Sequence, residues 1–431
     1  MFRRLWTGLP QDVVFPADLK GLGYFVNEED EIRSIENPDN YFKFFLNRNP
    51  RVNIRQRFQL DGAVRDIIHQ RLQSEGLEKR QLPLGAEPHE PHVSIFASPN
   101  LSSMTRVVVI FGEPTHYLGI VAGRVTHGVG GIDKGSMVSV VRELHNHVSS
   151  KEDPSPPGIV IANPAEIYWW PEGQRSLTVT DSEAIPFPSL VHTARRWCPD
   201  RDSVPENRSA EEHVSYIFNK LLQGELREDA KLSIVAVGES CQLLTRFLDD
   251  TENWNRWLSR LDGMILLGTV YPVEMLKNHD LKSFLSKRSR AYILSSEPVN
   301  TPLAPPTGNP HAGISALGSP CYSSAESLYA EKIIISALQP ALQYLQEIAT
   351  TPAYQNQEII VAERPEPSED DLREDQETWH AIPEQDKPAV GVIDAASMRA
   401  QVKRARRFRR IVKGEQNPDT DGESADDDAL A

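Results

Sequence analysis

"KLSIVAVGESCQLLTRFL", residues 231–248, is the stretch on which the reading of this chain turns. An apolar run ends in Gly238-Glu239-Ser240, and an amphipathic run follows. A strand that turns sharply into a helix presents a nucleophilic serine in this way, usually as G-x-S-x-G. Gly238 and Ser240 fit that pattern, but Gln242 stands where its second glycine belongs. The stretch therefore reads as a working nucleophile, a remnant of one, or an ordinary turn.

Apolar runs of the same kind recur on both sides. "HVSIFAS" and "RVVVIFG" sit close together, which suggests that they pair, and "GIVIAN" (158–163), "GMILLG" (263–268) and "AYILSS" (291–296) are spaced more widely. Short Val/Ile/Leu runs bounded by turn residues are how strands buried on both faces look. Helical patterns lie between them in "SMVSVVRELHNHV", "AEEHVSYIFNKLL", "SCQLLTRFLDD" and "VEMLKNHDLKSFL". Upstream, Phe58, Val64, Ile67, Ile68 and Leu72 predict one long amphipathic helix, and "LPLGAEPHEPH" reads as a loop. A last helix, "AEKIIISALQPALQYLQEI", closes the domain near residue 350. Alternating β and α elements predict an α/β fold with a mostly parallel sheet flanked by helices.

A hydrolytic serine needs a histidine base and an acid to orient it, in the chain order Ser, acid, His. Ser240, Glu297 and His311 stand in that order. Three features weigh against a working triad. Gln242 would crowd the turn, His311 follows Glu297 closely in a Pro- and Gly-rich stretch, and Gly112 in "VVIFGEP" has no His-Gly-Gly run beside it. The residues favour a remnant, and a serine hydrolase or esterase remains the rival reading.

Other candidates carry less. In "THGVGGIDKGSM" Lys134 precedes its glycine, the wrong order for a phosphate loop, so a surface loop capping a helix at Ser136 is expected. His89 and His92, and His145 and His147, lack a convergent third ligand, so no metal is expected, and no motif calls for a cofactor. "IYWWPEGQR" sets Tyr168, Trp169 and Trp170 beside Arg175 just after a strand, where α/β sheets form ligand crevices. These four residues are candidates for a pocket or partner surface, or they plug the end of the sheet.

The chain has 431 residues, 39% hydrophobic and 25% charged, with a net charge of −15, enough for a sizeable core. So acidic a chain is a poor general nucleic-acid binder. Cys198, Cys241 and Cys321 form no disulfide or zinc pattern, and no run approaches the roughly 20 apolar residues of a membrane span. The tail changes character. Residues 351–392 are acidic and proline-rich and are expected to be disordered. Residues 393–413 are basic with helical potential, and 414–431 form an acidic disordered tail. Lys403, Arg404, Arg406, Arg407, Arg409, Arg410 and Lys413 make the only dense basic run, read as a nuclear-import signal more than an RNA contact.

Several blocks together resemble the Argonaute-binding-protein family, number two in its naming. The opening block, 15–57, runs from Phe15-Pro16 through Gly23-Tyr24-Phe25 to Ile32-Arg33. "LGIVAGRVTHGVGGIDKGSM", "GIVIANPAEIYWWPEGQRSLT", "EEHVSYIFNKLL", "YILSSEPVNTPL" and "CYSSAESLYAE" follow in the family's order, and the likeness spans about 15–350. The domain is also similar to the C-terminal domain of fungal class II histone deacetylases. About 14 residues lie upstream of the likeness, so no deacetylase domain of its own is expected. The resemblance implies an α/β-hydrolase-like domain that works by binding proteins, such as Argonaute or chromatin-silencing factors. In that family it supports small-RNA-guided heterochromatin silencing, which places the chain in the nucleus with the cytoplasm as second compartment. RNA contact is then indirect or weak, and no membrane is involved. A lipid- or small-molecule-binding pseudoenzyme is a third reading.

Overall fold

The computed structural model describes residues 8–192, 198–268, 273–309 and 313–361, with the single positions 381 and 383. The chain divides into two units, Met1–Arg364 and Pro365–Ala431, and the first carries the fold. The basic run at 403–413, His311 and most of the acidic linker lie outside the described residues.

Thirteen strands are described. They are β1 (Tyr24–Val26), β2 (Ile32–Ser34), β3 (Glu78–Leu82), β4 (Val93–Ala97), β5 (Arg106–Phe111), β6 (Gly158–Ala162) and β7 (Tyr168–Trp170). Then come β8 (Arg175–Leu177), β9 (Lys231–Val237), β10 (Leu261–Leu267), β11 (Ser289–Ile293), β12 (Pro302–Ala304) and β13 (Cys321–Ser323). Nine of them form one sheet in the order β12-β13-β11-β10-β9-β5-β6-β4-β3. The six strands from β13 to β6 run parallel, and β4, β3 and β12 are antiparallel to their neighbours. The expected pairing of "HVSIFAS" with "RVVVIFG" does not occur. These are β4 and β5, and β6 lies between them, reached by a crossover that parallel pairing requires.

Side chains alternate across a strand, and here both faces are covered. Val108, Ile110, Ile159, Ile161, Val235 and Ile265 pack on one side. They meet Leu60, Val64, Ile68 and Leu72 of α1 (Pro50–Ser74), Val138 and Val141 of α2 (Met137–His145), and Leu342 and Leu345 of the C-terminal helix Leu338–Thr350. Val107, Val109, Phe111, Val160, Ile234 and Met264 pack on the other. They meet Val214, Leu244, Leu248, Trp254, Trp257, Leu281 and Leu285 from the intervening helices. With two buried faces the strands need apolar residues at every position, which is why they read as continuous runs.

Further helices are α3 (Val179–Ala184), α4 (Ala210–Tyr216), α5 (Ser240–Asp249), α6 (Thr251–Trp257) and α7 (His279–Arg288), and the C-terminal helix Leu338–Thr350 is α8. α4 continues into a π-helical stretch, Ile217–Leu222, that carries Phe218. Its ring stacks on Phe247 with centroids 4.8 Å apart and meets Trp257 edge-on.

Buried at the start of β5, Arg106 donates to Ser233 Oγ at 3.1 Å, to the Val148 carbonyl at 3.1 Å and to the Leu345 carbonyl at 2.9 Å. Burial pushes this guanidinium down to about 10, and it pins β9 and α8 to β5. Past α8 the chain stays on the domain. Asn356 donates to the carbonyls of Ser286 and Ser289, and Tyr354 meets the ring of Tyr344. Among the described residues no helix is long and apolar enough to cross a membrane.

Candidate functional site

β9 ends at Val237, and the chain turns through Gly238 and Glu239 into α5, which begins at Ser240. This is the sharp strand-to-helix turn that the sequence predicts, at the end of the central strand of a mostly parallel sheet. The residue in the left-handed conformation, however, is Gly238, at φ +57°. Ser240 is helical and fully buried, and its Oγ donates to the Gly112 carbonyl at 2.5 Å.

That geometry fixes the frame of the elbow. In such a turn the presenting residue sits at the strained position, with small residues two places to either side. Here the frame is Ala236-Val237-Gly238-Glu239-Ser240, two residues earlier than the G-x-S-x-G reading. Gly238 holds the presenting position and Ser240 fills the small-residue position that packs against the neighbouring loop. Gln242 lies outside this frame.

A Cβ built on Gly238 would fall onto the carboxylate of Glu113. Glu113 follows β5 in "IFGEPTHY", and its Oε2 accepts the backbone N–H of Glu239 at 3.1 Å. An N–H one residue past the presenting position is the donor that an oxyanion hole uses. Burial holds the Glu113 carboxyl above the ordinary carboxylate range, the N–H bond opposes this, and the Glu239 charge adds to it. Nucleophile space and oxyanion donor are thus both taken up by one carboxylate of the protein itself.

Glu297 lies in the loop after β11 and is exposed, and its backbone carbonyl accepts Ser323 Oγ at 2.7 Å. His311 precedes β13 in the chain and is outside the described residues. Residues 324–350, which follow β13, contain no histidine. That loop instead brings Glu331 to Arg124 Nε at 3.0 Å, with the Arg124 guanidinium 4.5 Å from the centre of the Tyr329 ring.

The aromatic group read as a pocket, a partner surface or a plug of the sheet end forms a two-strand hairpin, β7 with β8. Trp169 is buried against the His92 ring, with centroids 4.9 Å apart, and packs with Val93 and Val204. Tyr168 and Trp170 pack on the Phe58–Leu177 cluster. The Arg175 guanidinium lies over Phe58 at 5.1 Å and Trp170 at 5.7 Å. Trp169 is therefore a core contact, while Arg175 reaches the wall of a cleft that also contains Lys79, Gln81, His92, Ser94 and Gln174.

Beneath the hairpin is a buried acidic network whose residues carry no sequence motif. The Tyr117 hydroxyl donates to Asp181 of α3, and Asp61 of α1 lies 3.2 Å from His127 Nε2. Glu166 accepts from the Leu118 N–H at 3.0 Å and the Asn163 amide at 2.9 Å. Burial raises Asp181 to about 7; Glu166 and Asp61 add to the shift, and the Tyr117 bond and Arg175 oppose it. Among the described residues no group of three or more His, Cys, Asp or Glu side chains is placed to hold a metal ion.

A histone deacetylase from Saccharomyces cerevisiae is 13% identical, over 67% of this chain and 97% of that one, with a TM-score of 0.38. The esterase LipW from Mycobacterium marinum is 11% identical over 59% and 56%, with a TM-score of 0.25. A bacterial heroin esterase is 11% identical over 67% and 90%, with a TM-score of 0.29. No curated protein sequence matches the chain. The family model of the Arb2 domain matches residues 15–299. The chain belongs to the Arb2 domain family, the Argonaute-binding family that its sequence blocks resemble.

Proposed function

We propose that this domain is a non-catalytic member of the α/β-hydrolase fold that acts by holding protein partners. The observation that carries the reading is the Glu113 carboxylate standing in the space of a side chain on Gly238 and on the N–H of Glu239. A fold with no side chain at its presenting position and its anion donor occupied can keep the scaffold while losing the chemistry. Family membership supports Argonaute or chromatin-silencing factors as the partners and small-RNA-guided heterochromatin silencing as the process. The basic run at 403–413 supports nuclear import, with RNA contacted through partners more than directly. Hydrolysis by Ser240, Glu297 and His311 is the competing reading, and the burial of Ser240 weighs against it.

Affinity capture of the tagged full chain from native nuclear extract tests the proposal. The expected result is co-purification of Argonaute or of chromatin-silencing proteins, resistant to nuclease. Capture of neither, at native expression level, would overturn the silencing assignment.

A further inference from the structure

The cleft beside Arg175 has a volume of about 690 Å³, within the range of small-molecule sites. Its walls are β3, the start of β4 and the β7–β8 turn, and none of its lining residues is acidic. In a chain of net charge −15 that is a local reversal of sign. Two cations face it from separate elements.

Lys79 is one. Leu118 offers only a carbonyl to His69 Nε2, at 3.1 Å, so that nitrogen carries the proton. His69 Nδ1 is then the acceptor for Lys79 Nζ at 3.3 Å, and burial keeps the ring neutral. One ammonium hydrogen is used there and two remain. Arg175 is the other. Its guanidinium packs against the neighbouring rings of Phe58 and Trp170, and among the described residues none accepts a hydrogen bond from its N–H edge. The two charges repel each other and Arg65, a repulsion that Glu166 near both, Asp66 near Lys79 and Asp181 near Arg175 offset in part. An anion between them would relieve that repulsion.

We infer that this cleft binds the phosphate group of a small hydroxyl-bearing molecule. A phosphate dianion matches two cations in charge and has three terminal oxygens, enough for the arginine fork and the lysine point charge together. The rest of the lining suits hydroxyls. Gln81, Gln174 and Ser94 both donate and accept, and His92, whose Nδ1 donates to the Glu90 carbonyl at 2.9 Å, keeps Nε2 as an acceptor. The inference is independent of the partner-binding role proposed above.

Calorimetric titration of the full chain with glucose 6-phosphate, inorganic phosphate and glucose tests it. The expected result is saturable binding of glucose 6-phosphate, at least tenfold tighter than glucose and weaker as salt rises. Lys79→Gln and Arg175→Gln should each weaken it at least tenfold. Lys79 lies on an edge strand, so if Arg175→Gln disturbs the Phe58–Trp170 packing the lysine variant decides. No saturable binding of either phosphate, or binding unchanged in the folded variants, overturns the site. Inorganic phosphate binding as tightly as the ester keeps the anion assignment and overturns the hydroxyl-bearing part.

Discussion

The carboxylate of Glu113 occupies the place that a side chain at Gly238 would need, and it holds the backbone N–H of Glu239 at 3.1 Å. Two loops at the carboxyl ends of adjacent strands, β5 and β9, are joined by this contact. In a nucleophile elbow that place holds the serine side chain, and the N–H that follows it serves the oxyanion hole.

Restoring a side chain here should therefore be costly. Gly238→Ser forces a non-glycine residue to φ +57° and displaces Glu113. A loss of about 1–3 kcal/mol is expected from the backbone alone. Adding Glu113→Gly should recover part of the loss, since neighbouring sites couple. Urea denaturation of the two single variants and the double variant measures this, and simple additivity would count against the contact.

Asp181 should make stability depend on pH. Its carboxyl, facing Tyr117, Asp61, Glu166 and Arg175, titrates near 7 when folded and from the ordinary 3.8 when unfolded. The folded state binds the proton more tightly. Stability from this group is fully present below about pH 3.8 and is lost as pH rises through 7. Asp181→Asn, which keeps an acceptor for Tyr117, should stabilise the protein by a few kcal/mol at pH 8 and by well under half as much at pH 5. Melting curves at the two pH values check the sign, and a variant less stable at pH 8 would contradict it.

Arg106→Met should cost on the order of 3 kcal/mol or more, because it strips donors from Ser233, Val148 and Leu345 at once. Arg106→Lys should rescue little, since one ammonium does not reach three acceptors on different elements. Chemical denaturation decides, and a lysine variant of wild-type stability would refute the three-way role.

How much of this was legible in the sequence follows the physics of each element. The parallel strands β5, β6, β9, β10 and β11 announced themselves because two buried faces demand unbroken apolar runs. β3, "EKRQL", did not, since an edge strand exposes most of its length. "VEMLKNHDLKSFL" looked helical throughout, but α7 starts only at His279, where Asn278 caps the N–H groups of Asp280 and Leu281. The final helical pattern is interrupted before Leu338, which puts Pro340 in the first turn of α8, where its missing N–H does no harm. At the site, Gly-Glu-Ser was found but its frame was not. The frame depends on which residue takes φ > 0, and the partial match of Gly238 and Ser240 to the pattern points two residues too late. Glu113 was hidden by distance, since nothing local links it to a turn 125 residues further along. Asp61, Tyr117 and Asp181 likewise meet only in the fold.

The most direct test of the central claim is intact-mass analysis of the full chain after exposure to a fluorophosphonate probe, with peptide mapping of any adduct. The account predicts no adduct at Ser240, whose Oγ is buried on the Gly112 carbonyl, and no difference between wild type and Ser240→Ala. A stoichiometric adduct on Ser240 that disappears in Ser240→Ala would contradict it.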